Sequence, residues 1–195
     1  MMVNNIINER DKWKKCYISH FNKYLGEAKL FEAFEQDKNK PIIEIISYVN
    51  VFGGCRAFCT LGLSSYKDVV GQYAEIFMPI DRAWDETPQI LASTLFNRIQ
   101  NKQRIGWGLS VRFADIFPEF VKKYSKSAIY FTIPYDVPEG LNKVLCGKDE
   151  GFVYLACYIS EGEHQYFIQH GTELFDSLLE RENVDMFNLL RPSVA

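Results

Sequence analysis

Apolar positions change their period along this chain, and each change marks an element. From Glu9 to Leu25, Trp13, Cys16, Tyr17, His20, Phe21 and Tyr24 recur at helical spacing, while Lys12, Lys14 and Lys15 fall off that stripe. That pattern predicts an amphipathic helix. Asn8, with Asp11 three residues on, reads as its N-cap and Gly26 as its stop. A second short helix is predicted over Glu27 to Glu35, ended by the polar run Gln36 to Lys40 and by Pro41.

Beyond Pro41 the pattern becomes β-branched and continuous. Ile42 to Val49, the stretch around Phe58 to Leu61, and Gln72 to Ile80 read as strands. Thr87-Pro88 offers a capping hydroxyl followed by proline, and predicts a helix to about Gln103 that buries Ile90, Leu91, Leu95 and Ile99. Residues 104–126 have no clear period. Ser127 to Ile133 and Gly151 to Ile159 read as strands, and the last third as helix, with a possible break at Gly171. Along Glu173 to Glu182, Leu174, Phe175, Leu178 and Leu179 fall on one side, and Glu173, Asp176 and Glu180 on the other. The expected fold is a single α/β domain over residues 1–195: a mixed sheet packed by N-terminal, central and C-terminal helices.

Cys55 and Cys59 raise the possibility of a metal or redox site. Neither a second close cysteine pair nor a paired-histidine pattern accompanies them, and three residues separate them where redox motifs have two. On a strand, positions 55, 57, 59 and 61 share a face and read Cys-Ala-Cys-Leu, a row suited to burial. The expectation is structural cysteines, no metal and no cofactor. Five cysteines without a secretion signal read as reduced thiols.

The following residues, Thr60-Leu61-Gly62-Leu63-Ser64, resemble the Thr-x-Gly-Met-Ser strand end of the suppressor-of-fused-like family. Tyr73-Ala74-Glu75-Ile76, with Met78-Pro79 and Trp84, resembles its Tyr-Ala-Glu-Leu strand. Glu163 to Gly171 is similar to its late helix, and Arg191-Pro192-Ser193-Val194 to the tail of short bacterial members. The resemblance covers about residues 40–194, leaving 1–36 as an N-terminal helical segment. It implies a protein-binding function. Short bacterial members include immunity proteins that neutralise a partner toxin, often a nuclease carrying an LXG secretion domain. The apolar bulk of Tyr73, Ile76 and Trp84 predicts that these motif residues pack in a core.

Composition narrows the remaining classes. At 47% hydrophobic and 15% aromatic the chain is a globular protein rather than a disordered one. With no apolar leader and no membrane-length run, it is expected to be soluble and cytosolic. Residues 149–195 hold nine carboxylates against two arginines, a net −7, while the whole chain is −3. This asymmetry bears on partners rather than fold. Asp149, Glu150, Glu161, Glu163, Glu173, Asp176 and Glu180 are the candidate partner-binding residues, and a solvated helical face is the plain alternative. Nucleic-acid binding is disfavoured because the basic residues are dispersed in an acidic protein. Gly106-Trp107-Gly108-Leu109-Ser110 lacks the glycine that a nucleophile elbow places after its serine, and reads as a loop with a buried tryptophan. His164 and His170 fall on different helical faces, so neither is expected to be catalytic. The expected function is a non-enzymatic immunity protein. Its alternatives are an adaptor that binds a peptide or transcription factor, and a hydrolase whose site is assembled from distant residues.

Overall fold

The strands of this protein are apolar on both faces because helices cover the sheet from both sides. The structure, a computed structural model, describes residues 2–36, 38, 40–135 and 137–195. The elements run α1 (Met2–Leu25), β1 (Leu30–Phe34), β2 (Ile43–Val51), β3 (Cys55–Leu61), α2 (Lys67–Val70), β4 (Ala74–Ile80) and α3 (Thr87–Gln100). They continue with β5 (Leu109–Arg112), α4 (Pro118–Tyr124), β6 (Ala128–Thr132), β7 (Lys143–Cys146), β8 (Asp149–Ile159) and α5 (Glu161–Arg181). All eight strands join one open sheet in the order β1-β2-β3-β4-β8-β6-β5, with β7 also paired to β8. Every pairing is antiparallel except β4 with β8, so the expected mixed sheet is present.

Strand alternation sorts the core into two layers. Ile43, Ile45, Ile76, Met78, Ile129, Phe131, Ala156 and Tyr158 face α3 and α4, where they meet Ile90, Leu91, Leu95 and Phe120. The opposite face divides between two helices. Trp13, Tyr17 and Phe21 of α1 lie over Ile46, Phe77, Val153 and Leu155, together with Cys55, Ala57, Cys59 and Leu61 in the predicted row. Phe175, Leu178 and Leu179 of α5 lie over Ala128, Tyr130, Cys157 and Ile159. The 11-residue β8 ties these halves together by passing beneath both helices.

Several local expectations change in this context. Leu30–Phe34 is an edge strand, with Leu30 opposite Ser47 and Phe34 opposite Ile43, not a helix. A nine-residue helix gains little on its own, whereas the open edge of β2 supplies ladder hydrogen bonds. Asp37 and Asn39 of the polar run that follows lie outside the described residues. α1 begins at Met2, so Asn8 is interior to it rather than its cap. α3 ends at Gln100, and Thr87 is its first residue, with Glu86 as N-cap; the Thr87 hydroxyl bonds the Ala83 carbonyl at 2.7 Å. Trp84 is 39% exposed, its indole donating to the Ile80 carbonyl at 3.2 Å under the Arg56 guanidinium, so its apolar bulk does not enter the core. The segment without a clear period holds β5 and α4, the latter opened by Pro118. The break at Gly171 is a kink within α5, at φ 80° and ψ −179°, a conformation open essentially to glycine alone.

Two fully buried carboxylates hold the layers together, and both lie in the motifs that carry the family resemblance. Glu75 of β4 accepts from the Thr60 hydroxyl at 2.7 Å and from the backbone N–H groups of Gly62 (2.9 Å), Leu63 (3.2 Å) and Ser64 (3.0 Å). Thr60 in turn accepts from Ile76 N–H at 2.8 Å. Gly62 has φ 104°, and a Cβ there would come within 2.4 Å of the Ile42 carbonyl oxygen. Only glycine lets the loop turn its amides onto the acid. Glu163 of α5 completes a capping box with Ser160 and receives both terminal nitrogens of Arg191, one at 3.0 Å. Val194 N–H adds a further bond at 3.2 Å, and Lys126 donates to the Arg191 carbonyl at 2.8 Å. Burial works against ionisation of Glu163, but Arg191, Ser160 N–H and Lys126 outweigh it and hold the carboxyl below its usual value.

Cys16 and Cys146 form a disulfide, their Cα atoms 5.7 Å apart, which corrects the expectation of five reduced thiols. α1 packs on β7 and brings together two cysteines separated by 130 residues, a proximity no spacing rule displays. Cys55, Cys59 and Cys157 are free and buried.

Three outcomes follow from these contacts. Reduction should lower stability by about 2–5 kcal/mol, read as a drop in the denaturant midpoint that a Cys146→Ser protein no longer shows; equal midpoints with and without reductant would count against the staple. Arg191→Ala leaves Glu163 buried without its cation and should cost about 3–5 kcal/mol, against well under 1 kcal/mol for an exposed control such as Arg181→Ala. Glu75 sets a pH dependence. Desolvation pushes its carboxyl from 4.5 up to about 7, against the pull of Thr60, Ser64 and Gly62. Between those values the folded chain holds a proton that the unfolded chain has lost. The Glu75 contribution is therefore greatest below pH 4.5 and is lost by about pH 7, a fall of roughly 3 kcal/mol. Subtracting Glu75→Gln from wild-type unfolding curves across this range isolates that slope; parallel curves would refute the assignment.

Candidate functional site

The kink at Gly171 redirects the second half of α5, and a groove opens between that half and the end of β6. A cavity of about 480 Å³ is lined by Thr132, Tyr135, Asp176, Leu179, Glu180, Asn183 and Val184. It continues past Tyr135, Asn183 and Val184 to Asp185, Met186 and Phe187. Leu179 and Met186 are anchored in the core below, which gives the groove an apolar floor.

Three carboxylates stand around this floor. Asp176 is held by the Tyr130 hydroxyl, which donates at 2.6 Å, and by the Trp107 indole N–H at 3.4 Å. The Tyr130 hydroxyl is pushed up first by burial and then by its bond to Asp176. Glu180 is exposed, and Asp185 accepts from Phe187 N–H at 3.0 Å. No lysine, arginine or histidine forms an ion pair with any of the three among the described residues. Large apolar side chains flank them. Trp107, above Asp176, is 42% exposed, and Tyr135, which lines the groove, is 38% exposed. The expected buried tryptophan is thus a half-exposed one. Gly108 makes its position possible: at φ 71° it passes so close to Thr172 that a Cβ would lie 2.5 Å from its hydroxyl.

The seven candidate residues do not form one surface. Asp149 pairs with Lys12 at 2.9 Å and Glu150 with Lys143 at 2.8 Å, at the β7–β8 hairpin beside α1. Glu161 pairs with Arg112 at 3.0 Å; the Gln165 amide, then Ser127 and Arg112, hold its carboxyl down to about 2 despite partial burial. Glu163, fully buried on Arg191, is corrected from surface to core because its capping role turns it inward. Asp176 and Glu180 line the groove. Glu173 is exposed on the same half of α5 but does not line the groove. Leu174, assigned to the apolar side, is 54% exposed, since the kink rotates the face that meets the sheet. Trp107, Tyr135 and Asp185 complete the site. Of these, only Trp107, between two glycines, carried a sequence signal, and it pointed inward.

One polar pair converges that the sequence kept apart. Ser110 Oγ lies 2.7 Å from His164 Nδ1. Burial holds the imidazole below its usual value, Glu161 raising and Arg112 lowering it. Among the described residues no carboxylate hydrogen-bonds the other ring nitrogen, so the third group that orients a catalytic histidine is not in place. The His170 ring lies 4.3 Å from that of Tyr166 at a tilt of 42°. No group of three or more histidine, cysteine or carboxylate side chains among the described residues is placed to hold a metal ion. None of the described helices is long and apolar enough to cross a membrane.

Comparison with known proteins places this architecture. The chain is 26% identical over 174 residues to the immunity protein YqcF of Bacillus subtilis (strain 168), covering 87% of this chain and 90% of that protein. Its fold matches a suppressor-of-fused homologue from Neisseria gonorrhoeae FA 1090 with a TM-score of 0.73 at 13% identity, over 94% of this chain and 97% of that one. It also matches a chain of the Sufu–Fu complex with a TM-score of 0.63 at 11% identity, over 92% and 91%. Residues 39–192, which contain Glu75 with its donors and the Glu163–Arg191 pair, match the Suppressor of fused protein (SUFU) family, and the chain belongs to that family.

Proposed function

We propose that this protein is an immunity protein that binds and blocks a partner toxin, with the acidic, apolar-floored groove beside α5 as the docking surface. The observation that carries this reading is the end-to-end similarity to an immunity protein, 87% of this chain against 90% of that one. The groove supplies the chemistry. Asp176, Glu180 and Asp185 have no cation of their own among the described residues, and Trp107 and Tyr135 stand exposed beside them. Exposed aromatic anchors flanked by complementary charge are the usual energetic centre of a protein interface. A nuclease toxin, of the LXG-bearing kind that the family resemblance implies, presents cationic side chains where it grips phosphates. Those side chains would meet the three carboxylates, and Glu173 would extend the negative field along α5. Asp149, Glu150 and Glu161 already hold cations of this chain and rank below them.

Two observations favour other readings. The edge strand β1 exposes Leu30 and Phe31, as an adaptor that adds a peptide strand would. The Ser110–His164 pair supports the hydrolase reading but lacks an orienting acid.

The test is association with a partner toxin, sought first as the product of an adjacent gene. Wild-type association should slow as salt rises, since attraction between exposed charges is screened beyond about 8–10 Å, and Glu173→Lys/Glu180→Lys should slow association at low salt and flatten that salt dependence. Trp107→Ala should instead speed dissociation, costing about 2 kcal/mol or more, roughly thirtyfold in affinity. Wild-type association rates and dissociation rates in both variants would remove this face from the interface.

A further inference from the structure

The loop that clasps Glu75 also forms one wall of a second cavity, of about 440 Å³, between α1 and residues 62–68. This cavity is unlike the groove in charge. Arg10, Lys38, Lys40 and Lys67 line it, against Glu9 and Asp68. Glu9 is already engaged, 3.7 Å from Lys67 and hydrogen-bonded by the Tyr73 hydroxyl. Two more lining residues carry buried polar atoms with no partner in the protein: the Trp13 indole Nε1 and the Ser65 hydroxyl. Trp13 is 1% exposed. One face of its ring stacks on Tyr73 at 4.2 Å, and its benzo edge abuts Gly151, where a Cβ would lie 2.7 Å from Cζ3. The carbon bearing Nε1 is para to Cζ3, so the N–H edge is turned away from β8.

The two unpartnered atoms and the cations around them can all donate, although Arg10 already bonds the Ile42 carbonyl at 3.2 Å and Lys67 the Tyr73 hydroxyl at 2.6 Å. An indole N–H and the four cationic side chains are donors only, and a serine hydroxyl can donate. A buried donor without a partner costs about 1–3 kcal/mol, so the cavity is complementary to a ligand rich in acceptors and negative charge. Its volume is in the range of small-molecule sites. The surrounding protein, at net −3, opposes an extended polyanion such as a nucleic acid. We propose that this cavity binds a small phosphorylated molecule. Ser65 and Trp13 donate to its phosphate oxygens, and Arg10, Lys38, Lys40 and Lys67 balance its charge. The site is separate from the acidic groove and does not depend on the immunity reading.

The test follows the indole N–H resonances of the intact protein in ¹H–¹⁵N spectra during titration with pyrophosphate. Trp84→Phe and Trp107→Phe, both at exposed positions, identify the Trp13 signal by elimination. A saturable 1:1 shift of that signal is expected, with affinity weakened about tenfold or more in Lys38→Glu/Lys40→Glu. Titration with ATP asks whether the cavity takes a larger phosphate ester, and shifting of the same resonance supports the site. An unmoved Trp13 signal would overturn the proposal, as would an equal shift with chloride at matched ionic strength, or unchanged affinity in the double variant. Tighter binding of duplex DNA than of pyrophosphate at the same signal would replace the small molecule with nucleic acid.

Discussion

A carboxylate with no access to water is tolerated only where donors converge on it, and this fold is organised around two such acids. Glu75 joins the end of β3 and the following loop to β4; Glu163 joins the N-terminus of α5 to the chain's last residues. Each clasp spans elements that packing alone would hold less specifically, because apolar contact has no direction while donor geometry does. Removing a donor strands a charge at Glu163 and a buried polar group at Glu75. Moving a backbone segment strands several. The stretches that carry the family resemblance supply the two halves of each clasp.

With helices on both faces, the sheet leaves only its edges and ends to form sites. The acidic groove arises at one such end, where the second half of α5, turned by the Gly171 kink, passes the end of β6. The basic cavity arises where the Glu75 loop meets α1. Their opposite charge is a consequence of the chain's uneven composition: the carboxylates of the groove come from the acidic last third, and the cations of the cavity from residues 10–67. One chain of modest net charge thus carries two fields of opposite sign, and complementarity at either must be judged locally.

The sequence by itself determined what repeats locally. Burial on one face of an element leaves a period, so the α1 stripe, most of the strands, α3 and the Cys55–Leu61 row were all legible, and with them an α/β fold with a mixed sheet. Motif order carried the family. What tertiary structure alone decided were the encounters. Leu30–Phe34 became a strand because β2 had an open edge. Cys16 met Cys146, and Ser110 met His164, because α1 crosses β7 and α5 begins beside β5. Glu163 left the acidic surface because Arg191 lay opposite it, and Asp176 joined a groove with Trp107 because the kink turned α5. Periodicity records whether a position is buried; it carries no record of which distant residue stands on the other side. Charge and hydrogen bonding depend on that neighbour, and only the packed chain supplies it.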